Sequence, residues 1–474
     1  MEDIVGIAPE LWLLCVVVAL LAMAPFTRER APSLTTWLGI AGLLVAGAIT
    51  VPKLGLSAQR IFGGTYAVDP FALFAKLFVI VAAVAVLLAA RDRLAGSTHA
   101  VTVPALVVLT SLGAIGLAAS VDLVLIALAL QITAVASYGL VGALKDDPRA
   151  NEATLKFFLF AAASGAVMLY GMSLLYALTG TLDTLAMASR VRSVDGAALL
   201  LAGALFFTGY AFKITAVPLH WWVPDTYEGT TAPIAGFLSV VPKAAGLAVL
   251  LRTLIAAFPE NPGWPLGIAV VAALTMSLGN LFALRQESAK RLLAYSSIAQ
   301  VGYLLMPVAV VRTEALAVTA FLVYLIAYLA MNLAAFLVVG IVERAARSDR
   351  IAAFEGLGRS APWLAASMAL LLLSLAGMPP LVGFVGKVAL FVVTMAGGYT
   401  WLVVIAAANT ALSIYYYLRI IAAMYFAEGT APAPGRARAS GAAVLAGAIA
   451  TLVLGLLPLP LFAFAAQSAG LVGQ

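Results

Sequence analysis

Three lysines lie inside long apolar stretches of this chain. Lys213 occurs in Tyr210-Ala-Phe-Lys-Ile-Thr-Ala-Val-Pro218, Lys243 in Val240-Val-Pro-Lys-Ala-Ala-Gly246, and Lys387 in Gly383-Phe-Val-Gly-Lys-Val388. An ionisable group inside a bilayer is costly and marks a functional site by default. Burial disfavours the charged ammonium, which lets a lysine release as well as hold a proton. Lys156 opens another apolar stretch, at Leu155-Lys-Phe-Phe-Leu159, and Lys76 sits in Phe74-Ala-Lys-Leu-Phe78. Both lie near helix ends, where a long side chain can instead snorkel to the interface. His220 follows Lys213 by seven residues, which on an unbroken helix puts the two on one face, two turns apart. A histidine can relay a proton near neutral pH, although Pro218 distorts this spacing and a structural hydrogen bond is the plainer role. Acidic partners are scarce within the spans. Asp122 starts one span, where capping accounts for it. Asp225 and Glu228 follow the Lys213 stretch in a loop, and Ala129-Leu-Gln-Ile-Thr133 offers only Gln131 in mid-membrane.

The elements that must hold these residues are membrane helices. Hydrophobic residues make up 64% of 474 and charged residues 10%, whereas soluble domains carry about 45–50% and about 25%. Such a chain cannot cover itself with a polar surface. Hydrophobic stretches lie near 9–27, 34–52, 71–90, 101–119, 121–144, 153–178, 196–222, 233–257, 264–284, 292–311, 315–343, 361–396, 400–426 and 440–466. At about 20 apolar residues per span, this predicts an all-α integral membrane protein of about fourteen transmembrane helices. The start, Met1-Glu2-Asp3, is acidic where a signal peptide needs a basic region, so the first helix is expected to be retained. Cys15 is the one cysteine, which permits no internal disulfide and reads as a small core or lipid-facing residue.

The net charge of +6 is carried by short loops, in a pattern that reads as an orientation signal and not as nucleic-acid affinity. One set of loops holds Arg28, Arg30, Arg91, Arg93, Lys145, Arg149, Arg285, Lys290, Arg291, Arg344, Arg347, Arg350, Arg359, Arg436 and Arg438. The opposite set holds Lys53, Arg60, Arg190, Arg192, Arg252 and Arg312. The richer set is expected in the cytoplasm, with both termini on the other side.

Two spans contain breaks in their middles. Pro218 follows Lys213 in the seventh, and Gly377-Met-Pro-Pro380 precedes Lys387 in the twelfth. Proline removes a backbone donor and crowds the preceding turn, and the freed carbonyls are tolerated only where protein or water satisfies them. Paired interrupted helices in two halves of a chain point to an internal repeat around an ion pathway. The alternative is a pair of ordinary proline kinks. As one membrane domain over 1–474, the chain then divides into three N-terminal helices (1–100), a first repeat (101–258), a second repeat (264–426) and a last helix (440–466). The stretch Ala431-Pro-Ala-Pro-Gly435 reads as the linker to that last helix.

No Walker loop, dinucleotide fingerprint or metal-ligand cluster occurs. Two histidines and one cysteine give no usual ligand set for haem or an iron–sulfur cluster. The residues alone imply an ion-conducting membrane subunit whose driving reaction, if any, lies in another polypeptide.

Longer strings carry a resemblance. Pro218-Leu-His-Trp-Trp-Val-Pro-Asp-Thr-Tyr-Glu-Gly229, Ala232-Pro-Ile-Ala-Gly-Phe-Leu-Ser-Val-Val-Pro-Lys243 and Lys290-Arg-Leu-Leu-Ala-Tyr-Ser-Ser-Ile-Ala299 resemble the antiporter-like membrane subunits of respiratory complex I. Together with Gly383-Phe-Val-Gly-Lys387, they are most similar to the subunit N branch of bacterial NADH-quinone oxidoreductase. The resemblance implies fourteen helices, two inverted five-helix repeats and broken helices 7 and 12. It implies that Lys213 carries the proton of the first half-channel, Lys243 is the central relay and Lys387 belongs to the second half-channel. Lys156 matches a further family lysine, and His220 matches the histidine after the channel lysine. The family has no redox centre of its own, so NADH, FMN, iron–sulfur clusters and quinone are implied on partner subunits, in the bacterial inner membrane. Two positions depart from the pattern. Gln131 stands where the family usually has a glutamate paired with the channel lysine, and Gln300 where a histidine is common. Neither glutamine can ionise, which leaves two other functions open: a cation/proton antiporter subunit of the Mrp type, and a non-pumping structural subunit of the complex.

Overall fold

A computed structural model describes residues 2–23, 32–55, 57–94, 101–143, 147–258, 263–429, 431–432 and 438–471. Arg28, Arg30, Lys145, Arg436 and the stretch Ala433-Pro-Gly435 lie outside the described residues.

Among the described residues, twelve helices are long and apolar enough to cross a membrane, and three shorter apolar helices accompany them. In chain order, the first part comprises α1 (Ala8–Met23), α2 (Pro32–Thr50) and α3 (Pro70–Leu94). A small hairpin of β1 (Gln59–Ile61) and β2 (Tyr66–Val68) precedes α3, with Arg60 opposite Ala67. Next come α4 (Thr102–Ala119), α5 (Leu123–Val141), α6 (Pro148–Thr179), α7 (Gly196–Ile214), the short α8 (Trp222–Gly229) and α9 (Ala232–Ala257). Then follow α10 (Gly263–Ala283), α11 (Ala289–Ala309), α12 (Ala317–Tyr328) and α13 (Ala334–Ala346), with a π-turn at Leu329–Leu333 joining the last two. The remainder is α14 (Pro362–Ala376), α15 (Val382–Ala396), α16 (Thr400–Phe426), α17 (Arg438–Leu456) and α18 (Pro458–Gln467).

Aspartates and a serine start several helices by accepting from the first free backbone amides. Asp122 does so for α5, Asp147 for α6, Asp195 for α7 and Ser288 for α11. The centre of the bundle is α9 and α11, whose apolar windows are wholly buried, whereas α16 and α17 turn most of theirs outward. Small residues let the inner helices close up, as they must where lipid supplies no hydrophobic drive between helices. A methyl on Gly302 of α11 would stand 2.6 Å from the Met276 nitrogen of α10, and one on Gly279 2.6 Å from the Ala299 nitrogen.

Several charges lie elsewhere than the loop pattern predicts. Arg252 is inside α9 and buried, with Nη1 and Nη2 donating to the two Asp69 oxygens at 2.7 and 2.9 Å. Lys290 is in the first turn of α11, buried, and paired with Glu343 at 2.8 Å. Lys76 does not snorkel: it is 0% exposed and its ammonium is 2.6 Å from the Glu10 carboxylate. Tyr66 donates its hydroxyl to the same carboxylate. A buried ion that cannot reach water needs such a partner, and α3 brings Lys76 to α1.

Candidate proton-transfer site

The lysines singled out by type are buried in the bundle. Lys213, Lys243 and Lys387 are 2%, 1% and 2% exposed. Each sits where the helical ladder is open, which is where spare backbone acceptors are available.

Lys213 is the penultimate residue of α7, which stops because Thr215 turns into the left-handed region at φ 67°. The segment to Trp222 is not helical and contains the cis bond Val217–Pro218. Thr275 of α10 accepts from the Val217 amide at 3.0 Å, and the Trp222 indole donates to the Phe212 carbonyl at 3.4 Å. Trp222 stacks on Phe157 of α6 at 4.2 Å, fixing the start of α8. Among the described residues the Lys213 ammonium and the Thr215 and Thr226 hydroxyls have no hydrogen-bond partner. Donors and acceptors are thus collected at the break without being used by the protein.

Lys243 follows Pro242 within α9 and donates to the Ser297 hydroxyl of α11 at 2.8 Å, with its ammonium 5.7 Å from the centre of the Tyr227 ring. Three residues along α11, Gln300 faces the second break. Its amide donates to the Leu375 carbonyl at 3.4 Å, and Tyr324 donates to its oxygen. Lys387 of α15 donates to the same Leu375 carbonyl at 3.0 Å and to that of Ala376 at 3.3 Å. These are the last carbonyls of α14, left free because Gly377 takes φ 85° and the chain re-enters a helix only at Val382. Lys243, Ser297, Gln300, the Leu375 carbonyl and Lys387 therefore form one polar line through the interior, carried across by α11.

Lys156 lies away from this line. Its side chain is 41% exposed and bridges Glu152 and Asp225, each at 2.7 Å. Asp225 also receives Arg291 at 2.7 Å. Asp225 and Glu228 are not in a loop: both are on α8. This charged end opens into a cavity of about 800 Å³ that also takes in Arg149, Arg285, Arg347 and Arg350.

Three sequence expectations are corrected here. Lys213 and His220 do not share a helix face, because α7 ends at Ile214 and His220 lies buried in the non-helical segment. Gln131 is exposed on the outer face of α5 beside Leu128, Ile132 and Val135, so it does not stand against the buried Lys213. Acidic partners are less scarce than the sequence suggests: Glu10 inside α1 and Asp69 just ahead of α3 both hold buried cations. Ser297 was also missed. Its signal lies in the string Ala294-Tyr-Ser-Ser-Ile-Ala-Gln300, where the neighbouring Ser296 is an equal candidate by residue type.

The match to the family described as NADH:quinone oxidoreductase/Mrp antiporter, TM, spans residues 120–413. NADH-quinone oxidoreductase subunit N from Trichlorobacter lovleyi is 37% identical, over 98% of this chain and 97% of that protein. A chain of respiratory complex I from Thermus thermophilus superposes with a TM-score of 0.83 at 32% identity, covering 97% of this chain and 99% of that one. A chain of the Mrp complex from Dietzia sp. has a TM-score of 0.88 at 20% identity, over 98% of this chain and 97% of that one, and shares the fold. The chain belongs to the NADH:quinone oxidoreductase/Mrp antiporter transmembrane family, within its subunit N group.

Proposed function

We propose that this chain is a proton-translocating subunit in the membrane arm of NADH-quinone oxidoreductase, coupling quinone reduction to proton transfer across the membrane. The observation that carries this reading is the buried line from Lys243 through Ser297 and Gln300 to Lys387, with Lys213 at the neighbouring break. Lys213 takes the proton in the first half, Lys243 relays it, and Lys387 exchanges it with the far side. A positive charge on one buried lysine disfavours a charge on the next, so a shift at one end is felt at the other. Gln300 cannot hold a charge; it orients the Leu375 carbonyl and Tyr324. His220, buried in the non-helical segment that follows Lys213 in the chain, serves as a proton relay or as part of the packing of the break. Lys156 belongs to the uptake end with Asp225.

Two inverted five-helix repeats, as the family resemblance implies, fit the order of parts: the breaks that follow α7 and α14 fall in the seventh and twelfth spans, five apart. Read with the broken seventh and twelfth helices each counted once, the chain crosses the membrane fourteen times. The arginine-rich cavity end, with Lys156 and Arg291, then faces the cytoplasm, and both termini face the other side of a bacterial inner membrane. NADH, FMN, iron–sulfur clusters and quinone are assigned to partner subunits of the complex.

Gentle affinity purification of the tagged chain, with partners identified by mass spectrometry, tests this. Recovery of flavin- and iron–sulfur-containing subunits with NADH-quinone activity supports it. Recovery of small membrane subunits alone moves the assignment to a cation/proton antiporter of the Mrp type.

A further inference from the structure

We infer that the ion pair between Arg252 and Asp69 is a positioning device for Lys243, holding the half of α9 that begins at Pro242. This rests on the reading of Lys243 as a relay.

Pro242 lies inside α9. It has no amide to donate, and its ring crowds the carbonyl four residues back, so the helical ladder is weakest there. The segment from Lys243 to Ala257 is a rod joined to the rest of α9 at this weak point. Lys243 is its first residue, and the hydrogen bond to Ser297 depends on how the rod is rotated. Gly246, one turn on, lies against the other lysine: a methyl there would be 3.2 Å from Lys213 Cγ. Rotation of the rod therefore alters the surroundings of both lysines.

Arg252 fixes that rotation. It is nine residues beyond Lys243, roughly 13 Å along the axis and on the opposite side of the helix at 3.6 residues per turn. While Lys243 faces α11, Arg252 faces the N-terminal helices. Its fork grips both Asp69 oxygens, at 2.7 and 2.9 Å, and Nε donates to the Ala118 carbonyl of α4 at 3.0 Å. A bidentate fork sets direction as well as distance. The base of this clamp is itself tied down. Asp69 immediately precedes α3, and seven residues later Lys76 anchors α3 to Glu10 of α1. The three N-terminal helices thus form the fixed frame against which the Lys243 rod is held. An apolar pair would hold the helices together as well as a buried ion pair does; what the fork adds is register.

The test uses the assembled complex in sealed inverted vesicles and reads protons translocated per NADH oxidised. Arg252→Lys keeps the charge and loses the fork. The ratio should fall in Arg252→Lys and in Lys243→Ala, and the double variant should fall no further than Lys243→Ala alone. Hydrogen exchange in the purified complex should quicken by about tenfold over 243–252 in Arg252→Lys while α11 is unchanged. If Arg252→Lys does not assemble, Asp69→Glu gives the same reading, because it displaces the carboxylate and keeps its charge. Additive losses in the double variant, or an unchanged ratio and exchange in Arg252→Lys when Lys243→Ala is impaired, would overturn the positioning role. An unimpaired Lys243→Ala would instead remove the relay reading itself, and the positioning role with it.

Discussion

Gly377 provides a sharp test of whether the lysine–carbonyl contacts at the second break matter for proton transfer. Its φ of 85° lies in the left-handed region, where an alanine pays roughly 1–2 kcal/mol. A methyl at this position would also stand 3.0 Å from Lys387 Cδ and 3.4 Å from its Nζ. The lysine stem must then move, and its two hydrogen bonds to Leu375 and Ala376 are at stake. A hydrogen bond to a charged group contributes about 1.5–3 kcal/mol net, so losing one displaces the ammonium in most molecules. Gly398 is the matched control: its φ is 86°, yet a methyl there meets nothing within 4 Å. Both Gly377→Ala and Gly398→Ala should therefore lower the thermal stability of the purified complex, Gly377→Ala by more because the displaced lysine adds to the backbone cost. Only Gly377→Ala should lower protons translocated per NADH in sealed vesicles. If both variants pump alike, the geometry at Lys387 does not govern transfer and the reasoning fails.

Further outcomes follow from other contacts. Ser297→Ala removes the acceptor of the Lys243 ammonium and should impair pumping with assembly retained; unchanged proton yield would take Ser297 off the path. Lys76→Met leaves Glu10 buried and unpaired, which should destabilise the chain by about 3–5 kcal/mol, whereas Lys76→Met with Glu10→Leu should recover most of that; thermal aggregation of the purified complex decides. Lys156→Ala breaks a partly exposed bridge and should cost no more than about 1 kcal/mol, read by the same melt. Gln131→Leu, on the outer face of α5, should leave Lys213-dependent pumping intact; a loss would show that this position reaches the path.

What could be read from the sequence was whatever depends on residue type against an apolar background. Lys213, Lys243 and Lys387 stand out because nothing around them is polar, and Pro218 and Gly377-Met-Pro-Pro380 mark where α7 and α14 stop. What could not be read was which side of a helix faces inward. In α5 nearly every residue is apolar, so no stripe distinguishes the outward Gln131 from an inward one. Pairings across the bundle were likewise hidden. Glu10 and Lys76 are 66 residues apart in sequence, and Arg252 and Asp69 are 183 apart, so neither pair is visible from spacing. The His220 spacing failed for a local reason, the left-handed turn at Thr215, which the following proline only hinted at.

The central claim is that protons move along the buried lysines. It is tested most directly by Lys387→Met in the intact complex, with proton translocation and NADH-quinone turnover measured in the same vesicles. Turnover should continue while protons per NADH fall. An unchanged ratio in a fully assembled complex would contradict it.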